Sequence, residues 1–462
     1  MISLLSRSGN LLQNPSFESG LAFWQADNVI TTDTSAAEGT QVASLGFGTT
    51  ISPASLYQDV PLLPWQRKPL FLSFIAYSTA GGPGNLVAEV LWLDVNGTVM
   101  GTGLRASVSS SLISNPRITF FDVTDRPPLG AVWARLLFSK NASEFPVLLD
   151  LVNLVPVETP NLVTNPSFEL GLAGWDATAF VPDFTIPWEG GAAVIQTGAP
   201  GTLSQDIPLN PLLPGSAFLL SFAARSLQNS TVTAQLIWLN VLGNPIGTPG
   251  IDITIAPTTL SGQGQYLNFV QLSGPAPVGA VQARLVFTAS GAVASILLLD
   301  QVILVRLASP NLLQNPGFAN GLDGWTSVGV TAQNTGGYIG QNFVNLSSGG
   351  ALINQTVALP FGAACHCFLM NFALHYGGTE APNGDVFAQV HWLDAQGDEI
   401  GLGLALVVSQ PFQPVDQWQV YTGLTERVPL NAVSVRIQFT KSSGLGAEAI
   451  IGLDSVIFAR VD

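Results

Sequence analysis

Two pairs of glutamates recur at one spacing. Glu18 and Glu38 are 20 positions apart, and so are Glu169 and Glu189. Asp150, Asp300 and Asp454 lie in apolar runs, with Val152 and Leu154, Val302 and Leu304, or Val456 and Phe458 two and four positions on. On a strand such neighbours share the aspartate's face. A carboxylate there must be paired, protonated or metal-bound, because an uncompensated buried charge costs several kcal/mol. Two glutamates, one aspartate and loop carbonyls could supply the roughly six to eight hard oxygens that calcium takes. The other reading makes the glutamates solvated loop acids and lets the aspartates accept from backbone amides. At the third aspartate both glutamates are missing: Ala319 and Ile339 stand in their places. Joint loss is what a shared ion would produce.

Other chemistry is sparse. No G-x-S-x-G, H-E-x-x-H or phosphate-cradling G-x-x-x-x-G-K occurs, and His366, His375 and His391 all fall in the last third. The chain is therefore read as a non-enzyme. Cys365-His366-Cys367 lacks the usual C-x2-C zinc spacing. Cys365 and Cys367 point the same way on a strand and would pair with each other only under strain. An intermolecular disulfide or plain reduced thiols remain.

The elements that must position these residues come from a repeat. NLLQNPSFESGLAFW starts at Asn10, NLVTNPSFELGLAGW at Asn161 and NLLQNPGFANGLDGW at Asn311. Each is followed by LWLDVNG, IWLNVLG or HWLDAQG, then by VWARLLF, VQARLVF or VSVRIQF, then by LLDLVNL, LLDQVIL or GLDSVIF. This order implies three copies of one domain, over 10–158, 159–308 and 309–462, after an extension over 1–9. Proline-bearing joints, VETPN and LASPN, imply stiff connections. Period-2 alternation in Val132–Phe138, the turn signal Asn96-Gly97, and 47 Gly with 31 Pro point to strands rather than helices. The expected fold is all-β, with three tandem antiparallel β-sandwich (jelly-roll) domains of about 150 residues each.

The opening N-x-x-x-N-P-S-F-E-x-G-L-x-x-W and the closing L-L-D-x-V resemble the galactose-binding-like jelly rolls of carbohydrate-binding modules in the 4/9/22 group. They also resemble related domains of spore-surface proteins. The resemblance covers Asn10 to Asp462 three times over. It implies a structural calcium near the opening and closing strands. On this chain Ca2+ would be held by Glu18, Glu38 and Asp150 in the first domain, by Glu169, Glu189 and Asp300 in the second, and not at all in the third. It also raises glycan binding. Trp24, Trp92, Trp175, Trp238, Trp325 and Trp392 recur and are expected in the cores. Trp65, Trp133, Trp188 and Trp418 do not recur, so they are the candidates for stacking on sugar, against surface packing or a subunit contact.

The chain has 462 residues and net charge −15, with 10% charged and 47% hydrophobic residues. Fifteen Lys and Arg form no basic stripe, which excludes a nucleic-acid partner. No apolar run reaches the ~20 residues of a membrane span, and MISLLSRSGN lacks the pattern of an export signal. Few ions remain to keep surfaces or strand edges apart. Recurrent Arg135, Arg284 and Arg436 are read as surface ion pairs or as holders of a specific acidic or carbonyl partner. The expectation is a self-assembling structural subunit of a bacterial surface or spore-associated layer or fibre, extracellular or on the spore. Its partner would be itself, head to tail, with Ile2, Leu4 and Leu5 donated to the next subunit's open edge. The alternative is a tandem carbohydrate-binding, lectin-like surface protein whose partners are surface glycans.

Overall fold

The computed structural model describes residues 9–461 apart from 34, 48–50, 64–66, 114–116, 198–199, 210–214, 228–229, 261–264, 291–295, 348, 378–383, 410–416 and 444–449. Ile2, Leu4, Leu5 and Trp65 lie outside the described residues. Among the described residues no helix is long and apolar enough to cross a membrane.

Module 1 contains strands β1 (Gln25–Asp27), β2 (Val29–Thr32), β3 (Val42–Leu45), β4 (Ala54–Pro61), β5 (Leu70–Tyr77), β6 (Leu86–Leu93), β7 (Val99–Val108), β8 (Ile118–Val123), β9 (Trp133–Lys140) and β10 (Val147–Pro156). They form two five-stranded antiparallel sheets, β1-β4-β9-β6-β7 and β2-β3-β10-β5-β8. Modules 2 and 3 repeat this order with β11–β20 and β21–β30. The all-β sandwich expected from the sequence is the fold observed. Asn96-Gly97 makes the expected turn between β6 and β7. The Asp94 carboxylate accepts from the amides of Asn96 and Thr98, both at 2.8 Å, and Gly97 takes φ +79°.

The six recurrent tryptophans are buried in the cores. Each opening-motif indole also donates to the backbone of its own motif: Trp24 to Asn14 O (3.1 Å), Trp175 to Asn165 O (3.2 Å) and Trp325 to Asn315 O (3.2 Å). That bond satisfies the indole N–H while the ring packs on Phe17, Phe168 or Phe318.

The two sheets of a module are buried differently. On β4 and β9 buried residues alternate with more exposed ones, as in a sheet with one face toward water. On β5 every residue is buried, and on β10 every residue but the last. Their second faces pack against neighbouring modules.

The three modules close into a ring. Strands β8, β18 (Leu267–Leu272) and β28 (Trp418–Leu424) touch one another pairwise around a common pseudo-threefold axis. Thr119 Oγ1 donates to Val420 O at 2.7 Å, Gln419 Nε2 donates to Thr119 Oγ1 at 2.6 Å, and Asn268 Nδ2 donates to Thr119 O. Asn153 Nδ2 donates to Thr422 O at 2.9 Å. The polypeptide enters the ring as if continuing from module 3. Gly9 N donates to Thr425 O at 2.9 Å, and a Cβ on Gly9 would fall 2.6 Å from Cys367 Cβ.

Candidate functional site

The recurrent acids build the seams between modules. A β-bulge in each closing strand turns the aspartate inward, and the next residue takes a positive φ: Leu151 (+49°), Gln301 (+45°) and Ser455 (+51°). Asp150 Oδ2 accepts from the amides of Ala37 (2.7 Å) and Glu38 (2.9 Å), and Oδ1 from that of Leu151 (2.7 Å). Asp300 accepts from Trp188 (2.7 Å), Glu189 (3.1 Å) and Gln301 (2.7 Å), and Asp454 from Tyr338 (2.9 Å), Ile339 (3.2 Å) and Ser455 (2.6 Å). Burial pushes the carboxyls of Asp150 and Asp300 well above their usual range and that of Asp454 up to about 8, against the lowering by these amides.

Each aspartate thereby holds one loop in a fixed shape, and that loop docks on the preceding module of the ring. Gly39 N donates to Val407 O (2.9 Å) on β27 (Glu399–Val408), and Val407 N donates to Glu38 Oε1 (3.1 Å). Gly190 N donates to Ser107 O (3.0 Å) on β7, and Ser107 N donates to Glu189 Oε1 (2.9 Å). At the third seam Gly340 N donates to Thr254 O (2.7 Å) on β17 (Ile251–Ile255), with Ile339 where the other seams have glutamate. Each loop thus uses part of an edge strand that would otherwise offer its backbone to another chain.

Glu18 and Glu169 brace the first two loops from below. Glu18 Oε1 accepts from the amides of Thr40 (2.8 Å) and Gln41 (2.7 Å), and Glu169 Oε1 from Gly191 (2.7 Å) and Ala192 (2.9 Å). Gly39 and Gly190 sit over these carboxylates at φ +65° and +66°, where a side chain would strike the glutamate. Desolvation raises Glu38 to about 6 against its bonds to Val407 and Ser16, and Glu18 adds repulsion. Glu189 is raised for the same first reason.

The structure places Glu18, Glu38 and Asp150 around one loop, and Glu169, Glu189 and Asp300 around its counterpart in module 2. The aspartates accept from backbone amides, as the second reading of the sequence allowed, whereas neither reading included the contact of Glu38 and Glu189 with a neighbouring module. Among the described residues no group of three or more His, Cys, Asp or Glu side chains lies as a metal would require. In the first module both oxygens of Asp150 and the Oε1 atoms of Glu18 and Glu38 accept from backbone amides.

Two candidate sugar platforms are corrected. Trp188 is 1% exposed, stacked on Phe120 of module 1 with ring centroids 4.7 Å apart, and its indole donates to Gln301 (2.8 Å). Trp418 is 5% exposed, between Tyr338, Phe343 and His375. Neither offers a face to a ligand: Phe120 of module 1 covers Trp188, and aromatic neighbours within module 3 cover Trp418. Trp133 is 39% exposed at the start of β9. Cys367 is buried beneath Gly9, which removes it as an intermolecular disulfide partner, whereas Cys365 is exposed. Arg135 forks onto Asp59 (2.6 and 2.8 Å) and lies 4.3 Å over the Tyr57 ring, and Arg284 forks onto Asp206 (2.5 and 2.7 Å). Module 3 has Thr356 at the matching position, and Arg436 pairs with Glu399 at 2.9 Å.

No protein-family model matches the sequence, and no curated protein matches it. Solved structures do. In fold, the modules are similar to carbohydrate-binding modules. The tandem CBM22-1–CBM22-2 domain of Paenibacillus barcinonensis Xyn10C is 17% identical, with 66% of this chain and 99% of that one covered and a TM-score of 0.27. The module TmCBM61, solved with β-1,4-galactotriose, is 16% identical over 32% of this chain and 99% of that one, with a TM-score of 0.26. The enzymatically active domain of tailspike protein 4 from bacteriophage CBA120 is 20% identical over 32% of this chain, with a TM-score of 0.27. This chain covers 21% of the tailspike domain's length. At these identities the likeness is one of fold.

Proposed function

We propose that the chain is a structural subunit of a bacterial surface or spore-associated layer or fibre, in which three modules act as one rigid block that assembles with further copies. The observation that carries this reading is the closed ring: each module commits an entire sheet face and one loop to its neighbours. Such a block suits a building unit better than three separately reaching binders. Its contacts with other copies fall on the surface that remains. There, one turn exposes an apolar residue in every module: Leu129 (81%), Val278 (84%) and Leu430 (84%). In module 1 this turn lies against the β6–β7 hairpin, where Val132 N donates to Leu93 O at 2.9 Å and Val95 is exposed. A charge-poor surface does little to keep such turns apart. Light scattering and negative-stain imaging of the full chain should reveal ordered polymers that the triple change Leu129→Asp, Val278→Asp, Leu430→Asp disperses. A strictly monomeric wild type at high concentration rejects the reading.

A second reading, glycan binding at a module's open sheet, is favoured by Trp133, Tyr57 and the Arg135–Asp59 pair, which share the outward face of β4 and β9. Aromatic and polar groups side by side are what a sugar face and its hydroxyls call for. A glycan array probed with wild type and Trp133→Ala tests it, and signal lost in the variant supports it.

A further inference from the structure

The seam between modules 2 and 3 contains a cavity of about 180 Å3, bounded among others by Gln271, Gly317, Ala319, Ile339, Ser455 and Val456. Its origin is visible by comparison. In modules 1 and 2 the same space holds Glu18 or Glu169 beneath the docking loop, with Ser16 or Ser167 beside Glu38 or Glu189. In module 3 those positions are Ala319 and Gly317. A Cβ on Gly340 would meet nothing within 4 Å, whereas one on Gly39 would fall 2.5 Å from the Glu18 carboxylate. Across the module 1–2 seam, Gln301 spans to Asp122 at 3.3 Å. The corresponding pair here is Ser455 and Gln271, and the serine is two carbons shorter.

We propose that this cavity binds one uncharged, hydroxyl-rich ring, a neutral monosaccharide. The volume is worth about six waters at ~30 Å3 each, enough for a single ring. No residue bounding it carries a charge, so an ionic ligand would be desolvated without a counter-charge. The nearby Asp454 carboxyl is spent on three backbone amides. Ile339 offers apolar surface to the C–H face of a sugar, and the Gln271 amide offers a donor and an acceptor to its hydroxyl edge. The exposed Ala319 marks the open side, while Ser455 and Val456 form the buried floor.

The test uses the full chain, titrated calorimetrically with glucose, galactose, mannose or myo-inositol, each to about 50 mM. At least one sugar should saturate with one site per chain, and Ala319→Glu, which copies modules 1 and 2, should weaken it at least tenfold without lowering the melting temperature. Gln271→Met should weaken it by several-fold. Trp133→Ala, on the open sheet of module 1, should leave it unchanged, which separates this site from the sheet-face reading. Any of four results overturns the proposal: no ligand saturates; binding survives both Ala319→Glu and Gln271→Met; cyclohexanol or galacturonate binds as tightly as the sugars; or inositol alone binds, which would make the pocket one for cyclitols.

Discussion

Two seams of the ring carry a glutamate and the third an isoleucine, although the same aspartate-anchored loop docks at all three. The glutamate seams gain a side-chain acceptor for an edge-strand amide (Val407 or Ser107) at the cost of a desolvated carboxyl. The isoleucine seam keeps the Gly340–Thr254 backbone bond without a side-chain acceptor beside it, gains a bond from Thr259 Oγ1 to Gly337 O (2.9 Å), and leaves a void. The aspartate and the backbone bond are thus the common requirement for closure, and the glutamates are a refinement with a pH dependence attached.

The largest expected effect comes from the shared element. Asp300→Ala leaves the amides of Trp188, Glu189 and Gln301 without their acceptor, and urea unfolding should show a loss of roughly 3–5 kcal/mol. Trp188→Ala, which empties the module 1–2 seam, should cost about 3–5 kcal/mol by the same measurement. If either variant loses less than ~1 kcal/mol, the seams are not what holds the modules together.

The comparison sharpens with pH. Glu38 rises from 4.5 to about 6 on folding, so the folded state holds its proton more tightly than the unfolded chain. Its contribution is most favourable below pH 4.5 and is lost as pH rises through 6, amounting to ~2 kcal/mol at 1.36 kcal/mol per unit. Glu38→Gln should flatten that part of the stability profile and raise stability at pH 7 by about 1–2 kcal/mol. Ile339→Glu should extend the same dependence to the third seam. Smaller still, chelation by EGTA should leave melting unchanged, because Glu18 already accepts from Thr40 and Gln41. Stabilisation by calcium that Glu18→Gln abolishes would restore the ion. Among the substitutions the smallest effect is Thr356→Asp, which rebuilds the Arg135-type pair at Arg436 and should add less than ~1 kcal/mol.

Much of this was legible in the residues. The triplication, the sandwich fold, the core tryptophans and the coupled loss of Glu18 and Glu38 equivalents can all be read from spacing. The ring was not, because module contacts leave no motif. A signal was nevertheless present: LFLSFIAY and LLDLVNLV are apolar on both faces, whereas SLYQDV and ARLLFS include polar residues on the outward one. A sandwich sheet needs only one apolar face, so runs with apolar residues on both faces, interrupted only by Ser73 or by Asp150 and Asn153, marked the sheet that would be covered twice. The non-recurrence of Trp188 and Trp418 was equally informative in hindsight, since symmetry is most easily broken where modules meet unlike partners.

Gly9 and Val461 both reach Cys367, one by packing against it and the other through an amide donated to its carbonyl at 3.2 Å. The order in which the modules are strung is therefore incidental to the object they make. A circular permutant opened at the joint before Asn161, with Val461 linked to Gly9, would trace the same triangle, so the ring can be grafted or displayed from any of its three corners.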